Sequence, residues 1–197
     1  MTTSPTLRAL SGITDSPATL ATSTVVLVDF QNTYTRGEME LDGWAPALDA
    51  AADLLARARD AGATVIHVQH DGGVGSAYDI REDIGAIHER VAPLDGESVV
   101  VKTAPNSFVG TELGDLVDAA GHEEVVIAGF MTHMCVTYTT EGAFLRGNRP
   151  TVVAAATATR SLPSVVGDVP AAQLHRAALA GIADLYATVV PTAADLL

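Results

Sequence analysis

The stretch that sets the fold is TVVLVDF, residues 24–30, and a second stretch of the same kind, EVVIAGF, occupies residues 124–130. Both are dominated by β-branched and aliphatic residues in continuous runs, which is typical of strands buried on both faces. Four more runs of this kind occupy residues 64–70, 98–102, 151–156 and 187–190. We therefore expect six buried strands.

Segments with helical periodicity separate these strands. Apolar residues recur three or four positions apart over 44–58, 113–120, 136–144 and 174–185. A chain that alternates strand and helix forms a parallel sheet through right-handed crossovers, and six strands suit an open sheet better than a closed eight-stranded barrel. We predict a three-layer α/β/α, Rossmann-like domain at residues 21–197, with an open, mostly parallel six-stranded sheet. Residues 1–20 are expected to form an N-terminal arm, which could pack on a neighbouring subunit.

Composition narrows the functional class. The chain has 197 residues, a formal net charge of -13 and one cysteine. The negative charge argues against a large contact with nucleic acid or an anionic membrane, and the single cysteine excludes a disulfide framework. No apolar run is long enough to span a membrane, and residues 1–22 do not resemble a signal peptide. We expect a cytoplasmic protein.

The connection between the second and third strands, residues 71–97, is unusually long. It contains Gly72, Gly73, Gly75 and Tyr78, followed by a charged stretch, and connections of this length are usually functional or mobile. We expect it to hold a short helix over Asp83 to Val91 and to cover the active site. The alternative is a plain surface excursion.

Three chemically active side chains stand at the carboxyl ends of predicted strands, where open α/β sheets bind ligands. Asp29 ends the first strand, Lys102 ends the third, and Cys135 follows the fourth at the start of a helix. Lys102 is the one lysine among eleven basic residues. An ammonium is a compact point charge, which the guanidinium of arginine is not.

Together these groups make a cysteine nucleophile plausible. A helix N-terminus and a nearby Lys102 would stabilise the thiolate of Cys135, and Asp29 could accept its proton and later return it to a leaving amine. Each residue also has a plain structural interpretation. A single cysteine is often inert and buried, an aspartate after a strand often caps a turn, and a lysine there is often solvated.

Three sequence blocks resemble the isochorismatase-like cysteine hydrolase superfamily. They are VLVDFQN at residues 26–32, VK at 101–102 with NSF at 106–108 and TEL at 111–113, and GFMTHMCV at 129–136. The resemblance spans residues 22–190, with the blocks in the family's order. It implies that Asp29, Lys102 and Cys135 form a catalytic triad.

The resemblance also implies further features of the site. The family's cis peptide maps onto Phe130-Met131, which places the backbone amides of Met131 and Cys135 in an oxyanion hole. The implied chemistry is hydrolysis of an amide, ureido or lactam C–N bond through an acyl-enzyme. The candidate substrate-binding residues are Gln31, Tyr34, His70, Phe108, Thr132 and His133. The histidines at 67, 122 and 175 carry no spacing signal.

Two other functions remain open from the sequence. Nicotinamidases of the superfamily have a metal site with an Asp-x-His pattern after the second strand, whereas residues 68–73 here read VQHDGG. We therefore expect no metal and no organic cofactor, although a metal-assisted nicotinamidase is an alternative. A second alternative is a non-catalytic small-molecule-binding or redox-sensing protein. We expect a homodimer or homotetramer that acts on a small-molecule amide-type substrate.

Overall fold

The computed structural model describes residues 4–197 and is built on one six-stranded sheet. The strands are β1 Ser23–Val28, β2 Thr64–His70, β3 Ser98–Lys102, β4 Glu124–Phe130, β5 Arg149–Ala158 and β6 Thr188–Val190. Their order in the sheet is β3-β2-β1-β4-β5-β6, and every pairing is parallel. The predicted fold class is confirmed, since a parallel sheet of this order needs crossovers that cover both of its faces.

Helices cover both faces of the sheet. They are α1 Leu7–Leu10, α2 Trp44–Asp60, α3 Leu113–Ala120, α4 Thr137–Leu145 and α5 Ala171–Leu185. Alternate residues of β1 enter two different apolar clusters: Val25 and Leu27 pack with residues of α2, while Val26 and Val28 pack with residues of α3, α4 and α5. This two-residue alternation explains why residues 25–28 of β1 are all apolar. No helix within residues 4–197 combines the length and apolar character needed to cross a membrane.

The carboxyl end of β1 differs from the prediction. The strand ends at Val28, and Asp29 adopts a left-handed backbone conformation with φ 53°. The Asp29 amide still donates to the Val68 carbonyl, at 2.9 Å, but the Gln31 amide then turns back to the Asp29 carbonyl, at 2.8 Å. Asp tolerates this conformation better than most residues. The chain therefore leaves the sheet at Asp29, the residue predicted to act as the general base.

The prediction of a short helix over Asp83 to Val91 is wrong. The segment contains two single 3-10 turns, Asp83–Gly85 and Glu89–Val91. Between them, Ile87 forms an antiparallel bridge with Gln31, and the His88 amide donates to the Phe30 carbonyl at 2.8 Å. These bonds to the chain that follows β1 keep residues 86–88 extended and outweigh the local helical preference.

The N-terminal arm packs on its own chain over the part that the structure describes, residues 4–20. The Arg8 side chain is buried and donates to the Asp15 carboxylate and to the carbonyls of Thr14 and Leu185. At the end of the arm, the Leu20 amide donates to the Leu197 carbonyl. The suggested packing on a neighbouring subunit is not needed to order these residues. Residues 1–3 of the predicted arm lie outside the described range.

The long connection is held at both ends. Near its start, Arg81 pairs with Asp71 and Asp79 at 3.0 and 2.7 Å. At its end, Glu97 accepts two bonds from the Arg59 guanidinium, each at 2.8 Å, and contacts Nε2 of the buried His67 at 2.9 Å. These bonds lower the pKa of Glu97 to about 2, with the Arg59 hydrogen bond as the largest cause. The connection is a structured cover and not a loose excursion.

Strands β1 and β4 approach each other closely where the site begins. Gly129 pairs with Val28 and has φ +151°, and a Cβ atom built on it would lie 2.1 Å from the Val28 carbonyl oxygen. A side chain at this position is excluded by sterics and by backbone conformation at once. Gly129 therefore sets the separation of the two strands that carry the candidate site.

We expect Gly129→Ala to destabilise the fold by more than about 3 kcal/mol, because the methyl group meets immobile backbone. The matched control is Gly181→Ala in α5, where an added Cβ meets nothing within 4 Å. That substitution should stabilise the helix by about 0.5–1 kcal/mol. Urea unfolding of both variants measures the difference, and equal stability of Gly129→Ala and the wild type would contradict the steric argument.

Candidate active site

The structure brings Asp29, Lys102 and Cys135 together at the carboxyl edge of the sheet. Asp29 follows β1, Lys102 is the last residue of the edge strand β3, and Cys135 lies in a π-helical turn, Thr132–Val136, between β4 and α4. Since β2 separates β3 from β1, Lys102 needs its long side chain to reach Asp29. The three residues that the sequence places at strand ends thus form one cluster.

The ammonium of Lys102 bridges the other two groups. Its Nζ lies 2.8 Å from Asp29 Oδ2 and 3.3 Å from Cys135 Sγ, and it donates to the Ala104 carbonyl at 3.0 Å. The side chains of Asp29 and Lys102 are fully buried, and Cys135 is 6% exposed. A buried charge is tolerated when it is paired, as these two charges are, although both Asp29 carboxylate oxygens lack a hydrogen-bond partner within residues 4–197.

Burial dominates the electrostatics of the cluster. It raises the pKa of the Asp29 carboxyl, and the charge of Lys102 offsets part of this rise. It also raises the pKa of the Cys135 thiol to about 12, with the Asp29 charge adding to the rise and the Lys102 charge opposing it. The expected stabilisation of the thiolate by Lys102 acts in the predicted direction, but desolvation and the carboxylate outweigh it. Burial therefore favours the neutral form of the thiol.

Two tyrosines close the site from the side of the long connection. Tyr34 is buried and its ring lies 5.7 Å from that of Tyr78, edge to face. Burial raises the pKa of both phenols, and the charges of Asp29 and Cys135 raise each further. Tyr78 is a site residue that the sequence analysis did not select. Its position within the long connection was the available signal.

Gln31 differs from its predicted role as a substrate contact. Its side chain is fully buried and bonds only to backbone: Nε2 donates to the carbonyls of His70 and Gly85 at 2.9 and 2.7 Å, and Oε1 accepts from the His70 amide at 2.9 Å. Both amide protons are used, so Gln31 serves to hold the ends of β1 and β2 together. His70 does lie in the site, with Nδ1 at 3.3 Å from Lys102 Nζ.

The two polar candidates before Cys135 are engaged with neighbouring elements. The buried Thr132 hydroxyl lies 2.9 Å from Nδ1 of His175 on α5, and Nδ1 of His133 contacts the hydroxyl of Thr159. Burial lowers the pKa of both His133 and His175. These contacts hold the nucleophile turn between β5 and α5. No spacing in the sequence pointed to His175, because its partner is distant along the chain.

Phe108 packs in the helical layer. Its ring lies beneath the Arg146 guanidinium, 5.3 Å from the ring centroid, and against Gly142 of α4. It also packs against the apolar cluster that contains Cys135. Its contact with substrate stays a prediction.

Arg160 is a second site residue that the sequence analysis missed. It follows β5. Its positive charge offsets part of the rise that burial causes in the pKa of Tyr78, and it adds to the fall that burial causes in the pKa of His133. Its Nε atom is buried without a hydrogen-bond partner among residues 4–197. The predicted β5 ended at Ala156, so Arg160 was not considered among the residues that follow a strand. The unpaired N–H of this guanidinium can donate to an anionic group.

Comparison with known proteins shows the family of this chain. The model of the isochorismatase domain matches residues 23–194. The chain belongs to the isochorismatase family. The family protein YddQ of Bacillus subtilis is 38% identical over 178 residues, which cover 89% of this chain and 99% of that relative. The crystal structure of an isochorismatase from Pseudomonas putida KT2440 superposes with a TM-score of 0.95 at 36% identity, covering 99% of this chain and all of the other.

Membership of the isochorismatase family identifies the chain as a hydrolase. A streptothricin hydrolase of Streptomyces noursei is 37% identical over 86% of this chain and 62% of that enzyme. The peptide bond Phe130-Met131 is cis, as the resemblance implied. Within residues 4–197 no group of three His, Cys, Asp or Glu side chains is arranged to hold a metal ion.

We expect Asp29→Asn to lower the pKa of the Cys135 thiol, because the carboxylate charge is one of the causes that raise it. The pH midpoint for alkylation of Cys135 by iodoacetamide, followed by intact-protein mass, should fall by about one unit or more. Asp115→Asn, an exposed carboxylate on α3, is the control and should leave the midpoint unchanged. A midpoint in Asp29→Asn equal to or above that of the wild type would show that Asp29 does not oppose thiolate formation.

Proposed function

We propose that this isochorismatase-family hydrolase is a cysteine amidase that cleaves a small amide, ureido or lactam compound through a covalent acyl-enzyme. The observation that carries the proposal is the buried ammonium of Lys102, which contacts both the Asp29 carboxylate and the Cys135 sulfur. A thiol, a base and a cation within hydrogen-bond reach are what acyl transfer to cysteine requires. The names of several relatives also describe amide hydrolysis.

The resting protonation state defines the first step. The thiol is neutral, so Asp29 accepts its proton as Cys135 Sγ attacks the substrate carbonyl carbon. The ammonium of Lys102 remains paired with the sulfur while negative charge develops there. Burial, which raises the pKa of Asp29, makes its carboxylate a better base than a solvated one. A thiol that ionises only during attack also resists unproductive alkylation and oxidation.

The remaining steps of the reaction use the same three side chains. Attack forms the C–S bond and a tetrahedral oxyanion, for which the backbone amides of Met131 and Cys135 are the proposed donors. Protonated Asp29 gives its proton to the leaving nitrogen as the C–N bond breaks, which leaves a thioester on Cys135. Asp29 then takes a proton from water, the hydroxyl attacks the thioester, and release of the acid returns the proton to the sulfur.

Arg160 supports a substrate that carries a carboxylate in addition to the amide. Its buried Nε has no partner among residues 4–197, and it lies close enough to Tyr78 and His133 to affect their pKa values. A maleamate amidohydrolase of Pseudomonas putida, 34% identical over 146 residues, is named for a substrate with both groups. We therefore propose a small anionic amide, bound with its carboxylate at Arg160 and its carbonyl at Cys135.

We expect Cys135→Ala to reduce turnover at least about a thousandfold while the fold is retained, because the acyl-enzyme cannot form. The measurement is a single-turnover reaction with maleamate, N-carbamoylsarcosine, ureidoacrylate and a cyclic lactam, followed by intact-protein mass spectrometry. An adduct that appears on the wild type, is absent from the variant and decays with release of acid supports the proposal. Substantial turnover by Cys135→Ala would overturn the assignment of the nucleophile. A wild type that forms no adduct with any of these compounds would favour the binding-protein alternative.

We expect Arg160→Gln to raise KM for a carboxylate-bearing amide by about ten- to a hundredfold, because a charge-assisted hydrogen bond is lost. The corresponding uncharged amide should be affected less than about threefold. Arg176→Gln, which removes an exposed guanidinium from α5, controls for the change in net charge. An equal loss for charged and uncharged amides would contradict carboxylate binding by Arg160.

A further inference from the structure

The three N–H groups of Lys102 have three hydrogen-bond acceptors. Asp29 Oδ2 lies 2.8 Å from Nζ as its ion-pair partner, but both carboxylate oxygens lack a hydrogen-bond partner within residues 4–197. An ammonium offers three donors and accepts nothing. Nζ donates to the Ala104 carbonyl at 3.0 Å and to Cys135 Sγ at 3.3 Å, and its third contact is His70 Nδ1 at 3.3 Å.

This contact determines the protonation of the His70 ring. Since Lys102 can only donate, Nδ1 of His70 must accept, and the single proton of the neutral imidazole then lies on Nε2. The ring packs edge to face against Tyr78, with centroids 5.1 Å apart. His70 is half-buried, so the ring has one side on the catalytic cluster and another toward the opening.

The backbone of His70 is held as firmly as its ring. Gln31 accepts from the His70 amide and donates to its carbonyl, both at 2.9 Å, in place of the ladder that β1 no longer supplies after Val28. On the other side, His70 is paired with Lys102 in the β2–β3 register. The two contacting side chains therefore start from adjacent, fixed positions on neighbouring strands.

We propose that His70 is a positioning residue: by accepting one N–H of Lys102, its neutral imidazole orients the ammonium so that another N–H points at Cys135 Sγ. No proton leaves Lys102. The inference rests on the proposed cysteine chemistry and adds the residue that keeps the ammonium in place beside the sulfur. Without His70 Nδ1, the ammonium can turn toward the unpartnered oxygens of the Asp29 carboxylate and away from Cys135.

Protonation of His70 would abolish this role, because an imidazolium cannot accept and repels the ammonium. The groups that face the ring are Lys102, Asp71 and Tyr78, and Asp71 is itself paired with Arg81. Burial and the charge of Lys102 lower the pKa of His70, while Asp71 raises it in part. The ring is therefore neutral at neutral pH, and its contribution is lost as pH falls through a pKa below 6.5.

The test compares two variants at pH 7.5 with iodoacetamide as the probe of Cys135. His70→Asn keeps an acceptor near the position of Nδ1, whereas His70→Phe keeps a ring and removes the acceptor. Because Lys102 lowers the pKa of Cys135, displacing it should slow alkylation. We expect His70→Phe to react about tenfold more slowly than the wild type and His70→Asn to react within about threefold of it.

A second readout, the tautomer of His70, uses the wild type alone. Nitrogen-15 NMR should show His70 as the Nε2–H tautomer. In addition, Lys102→Met should raise the pKa of His70 by removing the nearby charge. The proposal is overturned if the wild type shows the Nδ1–H tautomer, or if His70→Asn is as slow as a folded His70→Phe. Alkylation and NMR need no turnover, so failure to hydrolyse any amide would count against the proposed function and leave this test intact.

Discussion

The ion pair between Lys102 and Asp29, buried completely at the edge of the sheet, is the constraint on which the rest of the site depends. A lone charge at this depth would cost several kcal/mol, so each partner requires the other. Lys102 stands on β3, two strands away from Asp29, and its side chain must cross the end of β2. The order and register of β3, β2 and β1 are therefore part of the chemistry as well as of the fold.

The same burial decides how the nucleophile is used. A solvated thiol beside a lysine would ionise readily, whereas the desolvated Cys135 has its pKa raised to about 12. The carboxylate that raises this pKa is also the base that removes the proton, so ionisation and attack are coupled. Close packing of β1 on β4 at Gly129, and the hold of Gln31 on His70, keep these groups within bonding distance.

Sequence reasoning succeeded where chemistry follows from position along a strand. The ends of parallel strands share one edge of a sheet, so Asp29, Lys102 and Cys135 could be grouped before any coordinates were known. It failed where a side chain turns inward: Gln31 follows the same strand but is spent on backbone bonds. It also failed at Arg160, because β5 extends to Ala158, beyond the predicted strand end at Ala156.

By itself, the sequence determined the alternation of strands and helices, the parallel sheet and the residue types at its carboxyl edge, because hydrophobic periodicity and strand polarity are local properties of the chain. Only the tertiary structure decided the protonation of Cys135, the cover supplied by Tyr78, and the contacts of His70, His175 and Arg160. These features depend on desolvation and on distances between residues that are far apart in sequence. Both are set only when the helical layers pack on the sheet.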